Sequence, residues 1–392
     1  MSAALRPDIL LLVFGYVLSQ FYRSFLAVLT GPLEADLGAT AADLSFASGV
    51  WFLVFAAMQI PVGWALDRIG PRRSSSVLLL VGGAGGAAVF ALATEPWHLT
   101  AAMALLGVGC SNILMAAYYI FARSFAPVIF ASLAAVSLGT GMVGNLAGSL
   151  PMALAAELIG WRACMAVMAV ISGATALGLW VLIKDPPAPE GGPRGSLLDL
   201  LKMPAFWLLV PMILGCYAPT ATLRGLWIGP YFADIYGASA TQVGQAALVL
   251  GVAMILGTYA YGPLDRWLGT RKWVVFAGNA GALACLLGLI LLPGLGAVQA
   301  ALLFAGLGAM AASYPMLMAH GRAFAPPHLV GRAVTLVNLL ALGSAGGMQV
   351  MSGWLYNPAA QGPAAFAPML WSYAALMFVG LAVYLFAPDR MD

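Results

Sequence analysis

The sequence predicts an all-α membrane protein with twelve transmembrane helices in two pseudosymmetric six-helix bundles. Three observations predict it: scarce charge, long apolar runs, and a second half that repeats the first. Hydrophobic residues make up 62% of the 392 residues and charged residues only 8%, whereas soluble domains carry about 25% charged residues. So few charges cannot cover a water-facing surface of this size. The solvent for most of it is therefore the lipid bilayer. The net charge of +3 is spread over short loops and forms no basic stripe, so no nucleic-acid partner is expected.

About 20 apolar residues cross the hydrocarbon core as a helix. Open sheets are excluded there because unpaired backbone groups find no water. The apolar runs are long and continuous, unlike the short alternating segments of a β-barrel. The predicted helices cover 8–31, 43–66, 74–93, 97–121, 129–157, 161–184, 204–233, 240–264, 272–292, 296–320, 329–355 and 364–387. The first run is longer than a signal-peptide core and contains Arg23, so it reads as a span. The chain divides into a first bundle over 1–184, a linker over 185–203 and a second bundle over 204–392. The linker carries four prolines before Gly195 and mixes Asp185, Glu190, Arg194 and Asp199.

Placing both termini in the cytoplasm puts Arg6, Arg68, Arg72, Arg73, Arg123, Lys184, Arg194, Lys202, Arg266, Arg271, Lys272, Arg322, Arg332 and Arg390 on the inner side. These are fourteen of the seventeen basic residues, as the positive-inside rule demands for an inner-membrane protein. Arg162 falls outside, and Arg23 and Arg224 fall within helices.

The repeat appears at a shift of about 198 residues. Gly31-Pro32 and Asp36 correspond to Gly229-Pro230 and Asp234, and Asp67-Arg68 to Asp265-Arg266. Further on, Ala122 to Pro127 matches Gly321 to Pro326. Repeated six-helix halves imply a two-fold pseudosymmetric bundle with a cavity between the halves.

None of the fourteen acidic residues lies near the middle of a predicted helix, yet Arg23 sits well inside the first and Arg224 well inside the seventh. A mid-membrane arginine costs roughly 2.5 to 3.5 kcal/mol on insertion scales, so such residues usually face a water-filled cavity. The competing reading is that each one snorkels to a surface. Arg23 is eight residues from Gly31, roughly 12 Å along a helix, which makes snorkelling a long reach. An anion would neutralise both charges, and guanidinium matches the forked geometry of phosphate and carboxylate.

Helical spacing supplies companions. Tyr16, Gln20 and Arg23 share a face of the first helix, and Tyr217, Thr220 and Arg224 one of the seventh. Asn112 and Tyr119 lie on the fourth, Asn338 and Gln349 on the eleventh, and Asn145 interrupts the run Gly139, Gly141, Gly144, Gly148 on the fifth. The polar side chains read equally well as cavity lining or interhelical glue, and the glycines as packing surfaces. The four cysteines, Cys110, Cys164, Cys216 and Cys285, lie in apolar runs without metal-ligand spacing. His98, His320 and His328 sit near helix ends, and no hydrolytic triad or phosphate-cradling loop exists. No catalysis, metal or cofactor is expected.

The loop after the second helix runs Gly63-Trp64-Ala65-Leu66-Asp67-Arg68-Ile69-Gly70-Pro71-Arg72-Arg73 and resembles the loop motif of the major facilitator superfamily. The resemblance covers the whole chain and implies transport by alternating access. Gating falls to Asp67, Arg68 and Arg123, with Asp265, Arg266 and Arg322 as counterparts. Asp67 is expected to pair with Arg123 and Asp265 with Arg322. Ordinary solvated charge is the competing account, in which an exposed pair contributes little.

The first 70 residues resemble the organophosphate:phosphate antiporter branch through Gly15-Tyr16, Arg23 and the run Phe25 to Leu29. That branch implies an anion held by Arg23, with Arg224 resembling its second phosphate arginine. Two departures stand out: Gln59 replaces a lysine of the branch, and Gly144-Asn145 replaces its His-Asn pair. Fewer cationic donors make a carboxylate as suitable as a phosphate ester. The helix 4 arginine of proton-coupled drug exporters is absent too, with Met103 at its position. The expected function is secondary active transport of a small organic or phosphate-bearing anion by exchange or symport, in a chain acting as a monomer. The expected binding residues are Arg23, Arg224, Tyr16, Gln20, Gln59, Asn112, Tyr119, Asn145, Tyr217, Asn338 and Gln349. Two alternatives are an exporter of amphipathic compounds of drug or siderophore type, for which the nineteen methionines offer a forgiving apolar surface, and a non-transporting receptor on the same fold.

Overall fold

In the computed structural model the described residues are 6–186, 200, 202–292, 294–326 and 329–390. Most of the expected linker, 187–199 and 201, lies outside them. Among the described residues every regular element is helical. Two compact units emerge, one of Met1–Gly192 with Ser239–Gly244, the other of Pro193–Ala238 with Gln245–Asp392.

Among the described residues nine helices are long and apolar enough to cross a membrane. A tenth span results if Ser132–Ala147 and Leu150–Ile159, which meet at 41°, are joined. The two expected spans not among these ten are the first and the seventh. Both are interrupted, and the interruptions define the site described below. Where helices are uninterrupted their boundaries have local causes. Ala41–Arg68 starts at a capping box. The Asp43 amide donates to the Thr40 hydroxyl at 3.2 Å, while the Thr40 amide donates to the Asp43 carboxylate at 2.9 Å. The first helix and the seventh both stop, at their C-terminal ends, at a left-handed glycine, Gly38 and Gly237, in keeping with the repeat.

Small residues set how closely helices approach. In the first unit, Gly141, Gly144 and Gly148 recur at spacings of three and four and form one face of the fifth helix. A Cβ at Gly141 would strike the Tyr16 ring, one at Gly144 the Val17 carbonyl, and one at Gly148 the Ser24 hydroxyl. The first and fifth helices therefore touch backbone to backbone, as small residues allow in lipid. Gly82 meets Gly109 in the same way between the third and fourth helices. In the second unit Gly257 meets the Ala309 backbone and Gly278 the Met310 carbonyl. Each unit has its own apolar interior. Ile9, Leu12, Tyr16, Ile113, Phe121 and Leu179 share the first, and Ile213, Cys216, Leu317, Val337 and Tyr384 the second. Large apolar side chains also face outward: Leu158 is 83% exposed, Trp354 78% and Trp267 77%. Water disfavours such a surface and hydrocarbon accepts it.

Gly144→Leu is expected to destabilise the first unit by about 3 kcal/mol or more, since the added atoms meet backbone that cannot yield. A thermal melt of the detergent-solubilised protein checks this; an unchanged midpoint would show that the first and fifth helices are not packed as described.

Candidate functional site

The first helix was expected to run unbroken over 8–31 with Arg23 inside it. It ends instead at Phe21, turns through Tyr22–Ser24, continues as a 3-10 segment Phe25–Val28, and resumes as Thr30–Leu37. Arg23 is in the turn. Pro32 accounts for the second part of this interruption, between Val28 and Thr30: it brings no N–H, and its ring crowds the carbonyl four residues earlier, that of Val28. Ser24 holds the turn in place, its hydroxyl donating to the carbonyls of Phe21 and Asn145, both at 3.3 Å. The seventh helix behaves likewise. Val210–Thr222 passes into a π-helical turn, Leu223–Trp227, before Ile228–Tyr236. Pro219 lies inside the first of these segments and Pro230 inside the last. Arg224 occupies the π turn, a deviation often found at functional sites. Each repeat thus puts its intramembrane arginine where the helical ladder is broken.

Around Arg23 the expected companions divide. Gln20 donates to the Tyr16 hydroxyl at 2.7 Å, and both are buried. The Arg23 guanidinium lies over the rings of Trp51 and Phe55, 5.2 and 4.8 Å from their centroids. Those rings are stacked on one another at 5.1 Å and 26°. Gln59, one turn beyond Phe55, donates its amide to the Phe55 carbonyl at 3.2 Å and the Ser111 carbonyl at 3.4 Å. Asn112 donates to Ser75 at 3.4 Å and ties the fourth helix to the third. Asn145 places its amide 3.6 Å from the Met142 sulfur. Tyr119 lies apart from this group, with the Arg123 guanidinium 4.1 Å from its ring centroid and Asp67 as a hydrogen-bonding neighbour.

In the second unit Arg224 is buried, with one guanidinium nitrogen 4.0 Å from the Met254 sulfur. Gln349 supports the turn. With its amide oriented to satisfy both neighbours, it donates to the Thr222 carbonyl at 3.3 Å and accepts from the Trp227 indole at 3.2 Å. Trp227 also donates to Ser352 at 2.7 Å. Tyr217 packs on Tyr314 with centroids 5.2 Å apart, and the Tyr314 hydroxyl donates to Asn338 at 3.1 Å. Trp51, Phe55, Met254 and Tyr314 went unnoticed in the sequence because aromatic and thioether side chains in apolar spans read as packing.

The charged loops hold further pairs. Asp265 is bound by Arg271 at 3.3 Å. Arg68, Arg266, Arg322 and Arg123 are exposed. Asp185 accepts from the Arg72 amide at 2.8 Å at the start of Pro71–Leu78, and the Arg72 guanidinium donates to the Trp180 carbonyl at 2.6 Å. Asp389 does the equivalent in the second unit, accepting from the amides of Arg271 and Lys272 at 3.2 and 2.9 Å and from the Thr270 hydroxyl. The sequence held a signal for this pair, an aspartate beside proline after the last helix of each half. At the opposite loops Asp36 accepts from Trp161 and Arg162, both at 2.8 Å, and Asp234 from Tyr356 at 2.7 Å. The Trp161 indole, and then Arg162, hold the Asp36 carboxyl below its ordinary range.

Described residues that are helical in every regular element, two compact units and outward apolar faces define a polytopic membrane protein. The sequence pattern of the Major Facilitator Superfamily matches residues 12–348, and the chain belongs to that family of membrane transporters. No curated protein sequence matches it. Several solved structures share the fold. A bacterial homologue of the human lysosomal transporter Spinster, inward-facing and occupied, superposes with a TM-score of 0.77 at 17% identity, covering 97% of this chain and 96% of that one. The nucleoside transporter NupG gives 0.75 at 16% identity, covering 97% and 99%. A D-xylose-proton symporter gives 0.77 at 15%, covering 98% of both chains. At such identities the likeness is one of fold.

Burial pushes the Asp389 carboxyl up, but Thr270 and the two backbone amides outweigh it and hold the group below its ordinary range. A carboxylate depressed on folding stabilises the protein above its unfolded pKa, and that contribution disappears as pH falls through the folded value. Asp389→Ala is therefore expected to cost about 1 kcal/mol at neutral pH, the size of a lost helix cap. The gap between wild-type and variant melting midpoints should narrow as the buffer is taken to about pH 3; a gap independent of pH would show that the carboxylate charge is not what caps the helix.

Proposed function

We propose that the chain is a secondary active transporter of a small organic or phosphate-bearing anion, working by alternating access through exchange or symport, with Arg23 and Arg224 as its anion-binding groups. It acts as a monomer in the inner membrane with both termini in the cytoplasm, an orientation supported by the fourteen basic residues that then lie inside. The single observation that carries the reading is the duplicated one: each repeat breaks its leading helix at a turn bearing an arginine. Broken helices at transporter sites put backbone and charge where a solute can reach them. A guanidinium inside an apolar span is costly unless it meets water or an anion.

Anion binding also supplies the coupling that alternating access requires. A solute drives a conformational change only if it interacts differently with the two states. An open site leaves guanidinium and anion partly hydrated; a closed site removes that water and makes their attraction stronger. The loaded site can therefore close where the empty one resists, which favours exchange. Gating falls to the loop charges: Asp67 with Arg68 and Arg123 in one half, Asp265 with Arg266 and Arg322 in the other. The Arg271–Asp265 pair adds a member that the sequence had not suggested.

Arg23→Ala and Arg224→Ala should each lower anion counterflow in proteoliposomes at least a hundredfold, the order of about 3 kcal/mol for truncating a charge-assisted contact. Arg23→Lys should recover only part of it, because an ammonium lacks the planar fork. Unchanged counterflow in a correctly folded Arg23→Ala protein would exclude this site.

A further inference from the structure

We infer that the transported anion is a carboxylate carried on an apolar, ring-bearing body, and that Trp51 takes part in holding it; this rests on the anion reading above and narrows it.

The surroundings of Arg23 select the class. Its guanidinium is seated on two buried aromatic rings, at 5.2 Å from the Trp51 centroid and 4.8 Å from that of Phe55. A guanidinium directs its N–H groups outward in its own plane, as a fork. Two coplanar carboxylate oxygens match that fork. The two rings, with centroids 5.1 Å apart and planes 26° from parallel, put aromatic surface beside the charge. A solute with a planar apolar body meets its own kind there, since aromatic rings favour offset stacking. The other arginine has a similar neighbour, the polarizable Met254 sulfur at 4.0 Å.

The same surroundings disfavour a phosphate dianion, which calls for dense positive charge and many donors. Gln59 carries no charge, and its amide already donates to the Phe55 and Ser111 carbonyls. At Gly144 no side chain can be introduced, because even a Cβ would collide with the Val17 carbonyl and crowd the Phe21 amide. The two positions that could have added cationic donors are thus used for holding helices together.

Trp51 adds a separate observation. Its indole nitrogen is buried and makes no hydrogen bond with any described residue. Buried N–H groups are nearly always satisfied, so an exception calls for an explanation, and here we take it to be the solute. The indole is the ring beneath Arg23, so a carboxylate oxygen drawn to the guanidinium is the natural acceptor. Trp51 then has two roles: its face supports the guanidinium, and its N–H binds the solute.

Equilibrium binding to the purified full chain in detergent tests this, with tritiated indole-3-acetate as probe and acetate, glycerol 3-phosphate and inorganic phosphate as competitors. Indole-3-acetate should bind, with acetate and both phosphate compounds at least about tenfold weaker. Trp51→Phe keeps an aromatic ring near Arg23 and removes the N–H with the rest of the indole. It should weaken indole-3-acetate about tenfold, the order of one hydrogen bond to a charged group, with an unchanged elution profile and melting midpoint. Glycerol 3-phosphate or phosphate competing as well as the probe would overturn the inference. So would no binding of the probe, or a Trp51→Phe protein that binds it normally. In each case the anion reading would still stand or fall on the counterflow of Arg23→Ala, so the two failures are distinguishable.

Discussion

A proline inside an apolar span is the constraint on which the rest depends. Pro32 and Pro230 each remove a donor from a helical ladder where no water is present to compensate. The segment that precedes each proline departs from the α-helix, as the 3-10 stretch Phe25–Val28 in the first helix and the π turn Leu223–Trp227 in the seventh. Both departures expose backbone groups and alter the direction of side chains over a few residues. An arginine in a straight lipid-facing helix could only reach for the surface. At an interruption it projects from irregular backbone that has to be buried in protein or wet. The fold thus makes a place for charge by first giving up regular hydrogen bonding, and the same residues that weaken the helix locate the site.

The weakened backbone needs support from its neighbours, and the two halves provide it differently. In the first half the fifth helix comes up against the break through glycines, close enough for the Ser24 hydroxyl to reach the Asn145 carbonyl at 3.3 Å. In the second half side chains do this work: Gln349 and Ser352 hold Trp227 and the Thr222 carbonyl on either side of Arg224. The pseudosymmetry is one of topology and of charge placement, while the packing chemistry has diverged. A polar residue counted as a binding candidate can therefore be structural in one half without saying anything of its counterpart in the other.

What could be read from the sequence follows from this division. Helical spans, the repeat and the two arginines depend on composition and spacing, which a linear string displays directly. The breaks were harder to see. Gly31-Pro32 and Gly229-Pro230 were noted as markers of the repeat, but their effect is felt several residues upstream, inside runs whose hydropathy shows no gap. Arg23 was grouped with Tyr16 and Gln20 on the assumption of a continuous helix. The turn at Tyr22–Ser24 ends that periodicity and sends Arg23 to the second helix. Trp51 and Phe55 carried no signal because an aromatic in an apolar span has many ordinary reasons to be there. The pairing of Asp265 with Arg271 carried no signal for another reason: the repeat directed attention to Arg322, and Arg271 lies six residues along the same loop.

The ends of the two halves show how the loop motif is organised. Asp185 follows the sixth helix and caps the start of the third; Asp389 follows the twelfth and caps the start of the ninth. A carboxylate there satisfies amides that the helix cannot, and meets the positive end of its dipole. In the first half this divides the motif loop between two tasks. Its Arg72 is tied by backbone to Asp185 and by side chain to the Trp180 carbonyl, so that end of the loop is fixed to the sixth helix. Its Asp67 faces Tyr119, over which Arg123 lies, so that end is linked to the fourth. The first link is made by hydrogen bonds to backbone groups, whereas the second runs through side chains, one of them the exposed Arg123. A gate needs contacts that can be broken and remade at small cost, and a hinge needs contacts that persist. On the gating proposed above, the loop would supply both within seven residues, Asp67 to Arg73.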